Sequence, residues 1–152
     1  MKNGLKAKTY RSLAWFAVIA WAIVIFAFSA QNADESTVTS DGFMHMILSI
    51  FIKDNSVVAS LSNSIEFFVR KCAHFTIYLV LGALVYNLVR LYSVSKKILL
   101  TVALCCLYAI SDEIHQFFIP GRACRLLDVF IDTCGAASGA FVLSFIHKHF
   151  RK

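Results

Sequence analysis

Between Tyr108 and Asp132 the chain reads YAISDEIHQFFIPGRACRLLDVFID, which sets Asp112, Glu113, His115, Gln116, Arg122, Arg125, Asp128 and Asp132 into otherwise apolar sequence. A charge at the centre of a membrane-spanning helix costs about 2.5 to 3.5 kcal/mol even on a lenient insertion scale. A chain carrying so many polar groups in such sequence must enclose them in a polar pocket. The remaining helices have to build it.

Composition places the chain in a membrane. With 59% hydrophobic residues among 152 and a single proline, and a mean hydropathy of +0.69, it is too apolar and too short for an ordinary soluble multidomain enzyme. The formal charge of +6 sits in short basic clusters beside apolar runs. No basic stripe with interleaved aromatics appears, so these clusters read as topology signals and no nucleic-acid partner is expected. Cys72, Cys105, Cys106, Cys124 and Cys134 form no CxxC pair and no regular spacing. They are expected to be small core hydrophobes rather than zinc ligands or a disulfide framework.

Four stretches are long enough to cross a bilayer. Lys2, Lys6, Lys8 and Arg11 precede an uncharged run at 13–30, longer than the apolar region of a secretory signal and therefore read as a retained helix. The next connection, from Gln31 to Arg70, is the longest and most polar. Within it FMHMILSIFI, residues 43–52, is too short to span and fits an interfacial or re-entrant helix in the first outer loop, either covering a site or resting on the membrane surface. Second and third spans are predicted at 72–92 and 98–119. The third reaches about 33 Å only if its Asp-Glu and His-Gln cluster is included, which puts that cluster near one membrane face. Pro120 and Gly121 close a tight turn, and 126–146 supplies the fourth span. The predicted fold is all-α, one polytopic domain over residues 1–152 with four transmembrane helices.

With the amino terminus cytoplasmic, Lys2, Lys6, Lys8, Arg11, Arg90, Lys96, Lys97, Lys148, Arg151 and Lys152 lie inside, and all nine carboxylates lie on the outer half. The positive-inside rule thus predicts a multi-pass protein of a bacterial cytoplasmic membrane with both termini cytoplasmic.

At about 100° per residue, Lys71, His74, Tyr78 and Gly82 share one face of the second helix, and Tyr108, Asp112, His115 and Gln116 share one face of the third. Asp128, Asp132, Gly135 and Gly139 stripe the fourth. These faces point to one shared site near the outer leaflet, with the small residues below it reserved for close helix packing. His74, His115, Asp112 and Asp128 are the candidate catalytic groups, with Glu113, off the main arc, as a secondary member. Lys71, Gln116, Arg122, Arg125 and Tyr78 are the candidate substrate-binding groups, since arginine and lysine grip phosphate oxygens while apolar helices accommodate acyl or prenyl chains. Asp112, His115 and Asp132 could in principle ligate a metal, but their spacing matches no compact metal motif, and none is assigned. The sequence names no cofactor. The competing structural reading is that Asp128 and Asp132 neutralise Arg122, Arg125 or Lys71 and only fix the bundle.

FSAQ at 28–31, KCAHFTIYLVLG at 71–82, DEIHQFFIPGR at 112–122 and DVFIDTCGAASG at 128–139, in this order, resemble the VanZ-like family of bacterial membrane proteins. FSAQ departs from the FSSQ often seen there, and Asp132 stands where many members carry Asn. The resemblance implies a compact helical protein of the cell envelope linked to teicoplanin-type glycopeptide resistance. Joined to the outer polar site, it leads to two expectations. One is hydrolysis or transfer at a polyprenyl-linked or phospholipid phosphate. The other is a non-catalytic binding or scaffold protein that shields lipid-linked cell-wall precursor or excludes a lipidated drug.

Overall fold

In the bilayer core no water can satisfy peptide groups, so each apolar stretch closes its hydrogen bonds internally as a helix. The computed structural model describes residues 2–31, 55–120 and 124–150, with side chains over 7–31, 68–120 and 124–150. It contains helices α1 (Lys2–Ser29), α2 (Asn55–Val89), α3 (Lys97–Phe117) and α4 (Leu126–Phe150). Each holds a segment long and apolar enough to cross a membrane: Ala7–Ser29, Phe68–Val89, Lys97–Phe117 and Leu126–Phe150. Phe16, Ile23, Leu107, Phe117, Phe141 and Phe145 point outward, as a surface facing lipid rather than water requires.

The boundaries differ from the sequence expectation in instructive ways. Helix α2 starts at Asn55, inside the stretch read as connection; residues 55–70 contain neither Gly nor Pro, so nothing stops a polar extension of the helix. It ends at Val89 rather than Tyr92, where Leu91 and Tyr92 donate to the Leu88 and Val89 carbonyls in tightened turns. Helix α3 stops at Phe117. Phe118 and Ile119 then close short turns onto His115 and Gln116, because the residue before Pro120 avoids the helical region. Helix α4 runs on to Phe150, with His147, Lys148 and His149 in its last turn, where cations complement the negative end of the helix dipole. The expected helix at 43–52 and the Gly121 position of the turn lie outside the described residues.

Helices α2 and α4 form the most extensive interface. Contacts across it keep a nearly constant offset, Lys71 with Asp128, His74 with Asp132 and Tyr86 with Ser144, which is the register of two parallel helices. The small residues expected to serve packing do so. Gly82 lies against the Ala136 backbone, Gly135 against the Phe75 carbonyl and Gly139 against the Leu79 carbonyl. Helix α3 packs on α4 and α2 through Thr101, Cys105 and Ala109. The five cysteines are unpaired; Cys105 is buried in the core, whereas Cys72 and Cys124 are exposed and so are not the core residues expected from the sequence. Thr76, Thr101, Thr133 and Ser138 return their hydroxyls to carbonyls one turn back, so these polar side chains cost little in the apolar interior.

Helix α1 is attached differently. Trp21 Nε1 donates to the Ile77 carbonyl at 3.0 Å, Tyr108 OH to the Ala22 carbonyl at 2.7 Å, and Trp15 Nε1 to Tyr92 OH at 2.9 Å. Amphipathic aromatic side chains therefore tie α1 to α2, α3 and the connection between them, where small residues join α2 to α4. A Tyr108→Phe substitution removes the bond to Ala22 and leaves that carbonyl its own helical partner. Thermal unfolding in detergent is expected to register a loss of about 0.5 to 1.5 kcal/mol, with the fold retained.

Candidate functional site

The four helices bring polar side chains together at one end of the bundle: the end of α1, the start of the α2 span, the end of α3 and the start of α4. His74 and Asp132 each lie six residues from a span end and Asp112 lies five, a depth of about 7 to 9 Å. Asp128 occupies the first turn of α4, where the positive end of the helix dipole favours a carboxylate.

Asp112, Glu113, Gln116, Asp128 and Asp132 are all buried, Glu113 and Asp132 almost completely. Lys71 Nζ pairs with Asp128 Oδ1. One turn deeper, His74 Nδ1 lies 3.4 Å from Asp132 Oδ1. Across on α3, Gln116 Nε2 donates to Asp112 Oδ2 at 3.2 Å, and Ser29, buried at the end of α1, comes beside Asp112. Glu113 Oε2 accepts the backbone N–H of Arg125 at 2.7 Å, and its carboxyl lies within electrostatic reach of His74, Asp128 and Asp132. Tyr78 forms the floor, fully buried, with its hydroxyl toward Asp112 and Asp132 and its ring tilted against Tyr108 at 6.3 Å.

The structure thus gathers Lys71, His74, Tyr78, Asp112, Glu113, Gln116, Asp128 and Asp132 in one cluster. His115 lies on its flank. Its ring stacks on Phe26 of α1 at 4.4 Å, although it remains electrostatically close to Asp112. Arg125 enters through its main chain, and its own residue surface is exposed. Arg122 lies outside the described residues. Among the described residues, no three His, Cys, Asp or Glu side chains form a group suited to a metal ion. That lends no support to the arrangement of Asp112, His115 and Asp132 weighed from the sequence.

Two participants were underweighted by sequence reasoning. Ser29 belongs to the FSAQ segment but carried no assigned role; its position on the last turn of the first span was the available signal. Glu113 lies off the arc of Asp112 and Gln116, yet the start of α4 folds over it. Only the geometry of the hairpin could place an amide of residue 125 on its carboxylate.

The cluster is rich in acceptors. Lys71 and His74 answer Asp128 and Asp132, while Asp112 and Glu113 receive the neutral donors of Gln116 and the Arg125 amide. Beyond the His74 contact, neither oxygen of Asp132 has a hydrogen-bond partner, nor does Glu113 Oε1 or the Tyr78 hydroxyl. Buried polar atoms in folded proteins are rarely left so, because each orphan costs about 1 to 3 kcal/mol. Chemically, the arrangement offers a histidine oriented by a carboxylate, two further buried carboxyl groups, and a lysine at the rim.

Compared with known proteins, residues 14–147 match the family model described as VanZ/LLP1. No curated protein and no solved structure matches the chain.

Proposed function

The chain belongs to the VanZ/LLP1 family, and we propose that its buried acidic cluster is an acid–base site at the outer face of a bacterial cytoplasmic membrane, acting on the head group of a lipid-linked phosphate and contributing to glycopeptide tolerance. The observation that carries this reading is the set of unpartnered buried atoms around His74, namely Asp132 Oδ2, Glu113 Oε1 and the Tyr78 hydroxyl. A network serving the fold alone would close on itself. Groups left open toward one another suit a visiting molecule that brings its own donors.

In this mechanism His74, held by Asp132, accepts the proton of a water or hydroxyl as its oxygen bonds to phosphorus. Protonated Asp112 or Glu113 then donates to the oxygen that leaves as the old phosphorus–oxygen bond breaks. Lys71 is paired with Asp128 but retains further ammonium hydrogens for a phosphate oxygen, and exposed Arg125, whose amide binds Glu113, adds positive charge beside the cluster. An asparagine at position 132, as in many VanZ-like sequences, could still orient the imidazole by a hydrogen bond. The orientation is supported by the basic character of the opposite end, where Lys8, Arg11, Arg90, Lys96, Lys97 and Lys148 gather near the termini of the spans.

The test is the teicoplanin susceptibility of cells expressing His74→Ala or Asp112→Asn, with membrane protein levels quantified in parallel. The expected result is loss of the protective effect while each variant accumulates and melts like the parent. Full protection by both variants at equal levels would sink the site. A second reading, a non-catalytic scaffold shielding lipid-linked precursor, draws on the Lys71–Asp128 pair and the glycine packing beneath it. It expects the same substitutions to reduce folded protein rather than leave it folded and inactive.

A further inference from the structure

The opposite, basic end of the bundle holds two pockets that share a wall. Val94, in the connection between α2 and α3, lines both. On one side is an apolar groove of about 450 Å³ whose lining includes Trp15, Val18, Val85, Leu104 and Tyr108. It sits between α1, α2 and α3, and the scant contact between α1 and α3 leaves it open sideways to lipid. On the other side is a polar pocket of about 380 Å³ whose lining includes Tyr86, Ser95, Lys96, Lys97 and Ser144.

The polar pocket is built for negative charge. Helix α3 begins at Lys97 with no side-chain cap from Lys96 and no acidic residue in its first turn. Its first amide hydrogens and the positive end of its dipole therefore add to the two lysines. No acidic residue occurs from Phe67 to Ser111, so no carboxylate in the spanning part of α2, the connection or most of α3 opposes this field. Arg11, stacked over Tyr92 at 5.5 Å from the ring centre, extends it toward the mouth of the groove.

We infer that these two pockets together form a binding site for one anionic phospholipid of the adjoining leaflet, its phosphate held by Lys96, Lys97 and the α3 amides and one acyl chain lying in the groove. A soluble anion would find the cationic half without use for the apolar half. A zwitterionic lipid would fill the groove but bring its own cation to the lysines. Basic pockets between transmembrane helices select acidic head groups on this principle. The site is independent of the acidic cluster at the other end and stands or falls without it.

Native mass spectrometry of the full chain in detergent, supplied with phosphatidylglycerol or phosphatidylcholine of matched chains, tests the inference. Wild type is expected to retain phosphatidylglycerol preferentially, and Lys96→Gln/Lys97→Gln to lose roughly tenfold in that retention. Leu104→Trp, which fills the groove from an exposed position, is expected to weaken both lipids. Melting temperatures would establish that each variant is folded. Equal retention of the two lipids by wild type, undiminished phosphatidylglycerol on the double lysine variant, or the same thermal protection from inorganic phosphate alone would each overturn it.

Discussion

Gly139→Leu is expected to yield almost no folded protein, whereas Val142→Leu one turn away accumulates normally. At Gly139 the backbone of α4 lies directly against that of α2: a Cβ added there would overlap the Leu79 carbonyl and crowd the Ala83 amide. Gly135 meets the Phe75 carbonyl and Gly82 meets Ala136 in the same way, so three contacts of one interface are backbone against side-chain-free backbone. A flexible side chain could step aside, but helix peptide groups already engaged in their own hydrogen bonds cannot. Overpacking commonly costs about 1 to 3 kcal/mol when side chains can adjust, and here the helices must separate, so the cost lies at or above that range. A domain stable by about 5 to 15 kcal/mol loses much of its margin. Separation would also break the register that brings Lys71 to Asp128 and His74 to Asp132. Val142 points outward, and an added methylene there meets only lipid. Monodispersity on size exclusion and thermal unfolding of the two variants side by side check the contrast. A well-folded Gly139→Leu protein would show that the two helices are not held this tightly.

The parts of this architecture readable from sequence are those governed by length and solvent. An apolar stretch of spanning length has to be a helix in a bilayer, and a span with carboxylates in its last turns has to end near a surface. The spacing of Gly135 and Gly139 likewise announces a close helix contact, though not that its partner is α2 in parallel. What could not be read depends on side chains crossing between distant segments. The aromatic bonds of Trp15, Trp21 and Tyr108 that seat α1 span more than fifty residues of sequence. Their aromatic residues are unremarkable in so apolar a chain. His115 shares a helical face with Asp112, but a face about 100° wide touches two neighbours, and its ring goes to Phe26 while Asp112 turns to Ser29 and Gln116. Glu113 shows the converse: periodicity put it off the arc, and the loop leading into α4 supplied it with a partner. Where α2 begins was hidden because helix propensity outside the membrane is decided by small energies per residue, which polar composition alone does not reveal.

The ion pair at the rim separates architecture from chemistry. Lys71→Met alone is expected to cost about 3 to 5 kcal/mol, because it strands Asp128 in a site where both side chains are about nine-tenths buried. The stranded carboxylate would stand close to Glu113 with no ammonium to compensate it. Lys71→Met/Asp128→Leu removes both charges together with their desolvation, and such replacements are often neutral or stabilising. The double variant is therefore expected to recover the melting temperature and membrane level of the parent, which circular dichroism in detergent and quantitative blotting would register. On the proposed function, the double variant is expected to give no protection against teicoplanin, since that chemistry needs the Lys71 ammonium for the phosphate and not only for Asp128. If protection returned along with stability, Lys71 and Asp128 would be a strut and the scaffold reading would gain the ground the acid–base site gave up. A double variant that remained unfolded would mean that the pair is required by its charged neighbours, Glu113 first among them. The next substitution to combine would then be Glu113→Gln, which keeps the Arg125 amide bond and removes the adjacent negative charge.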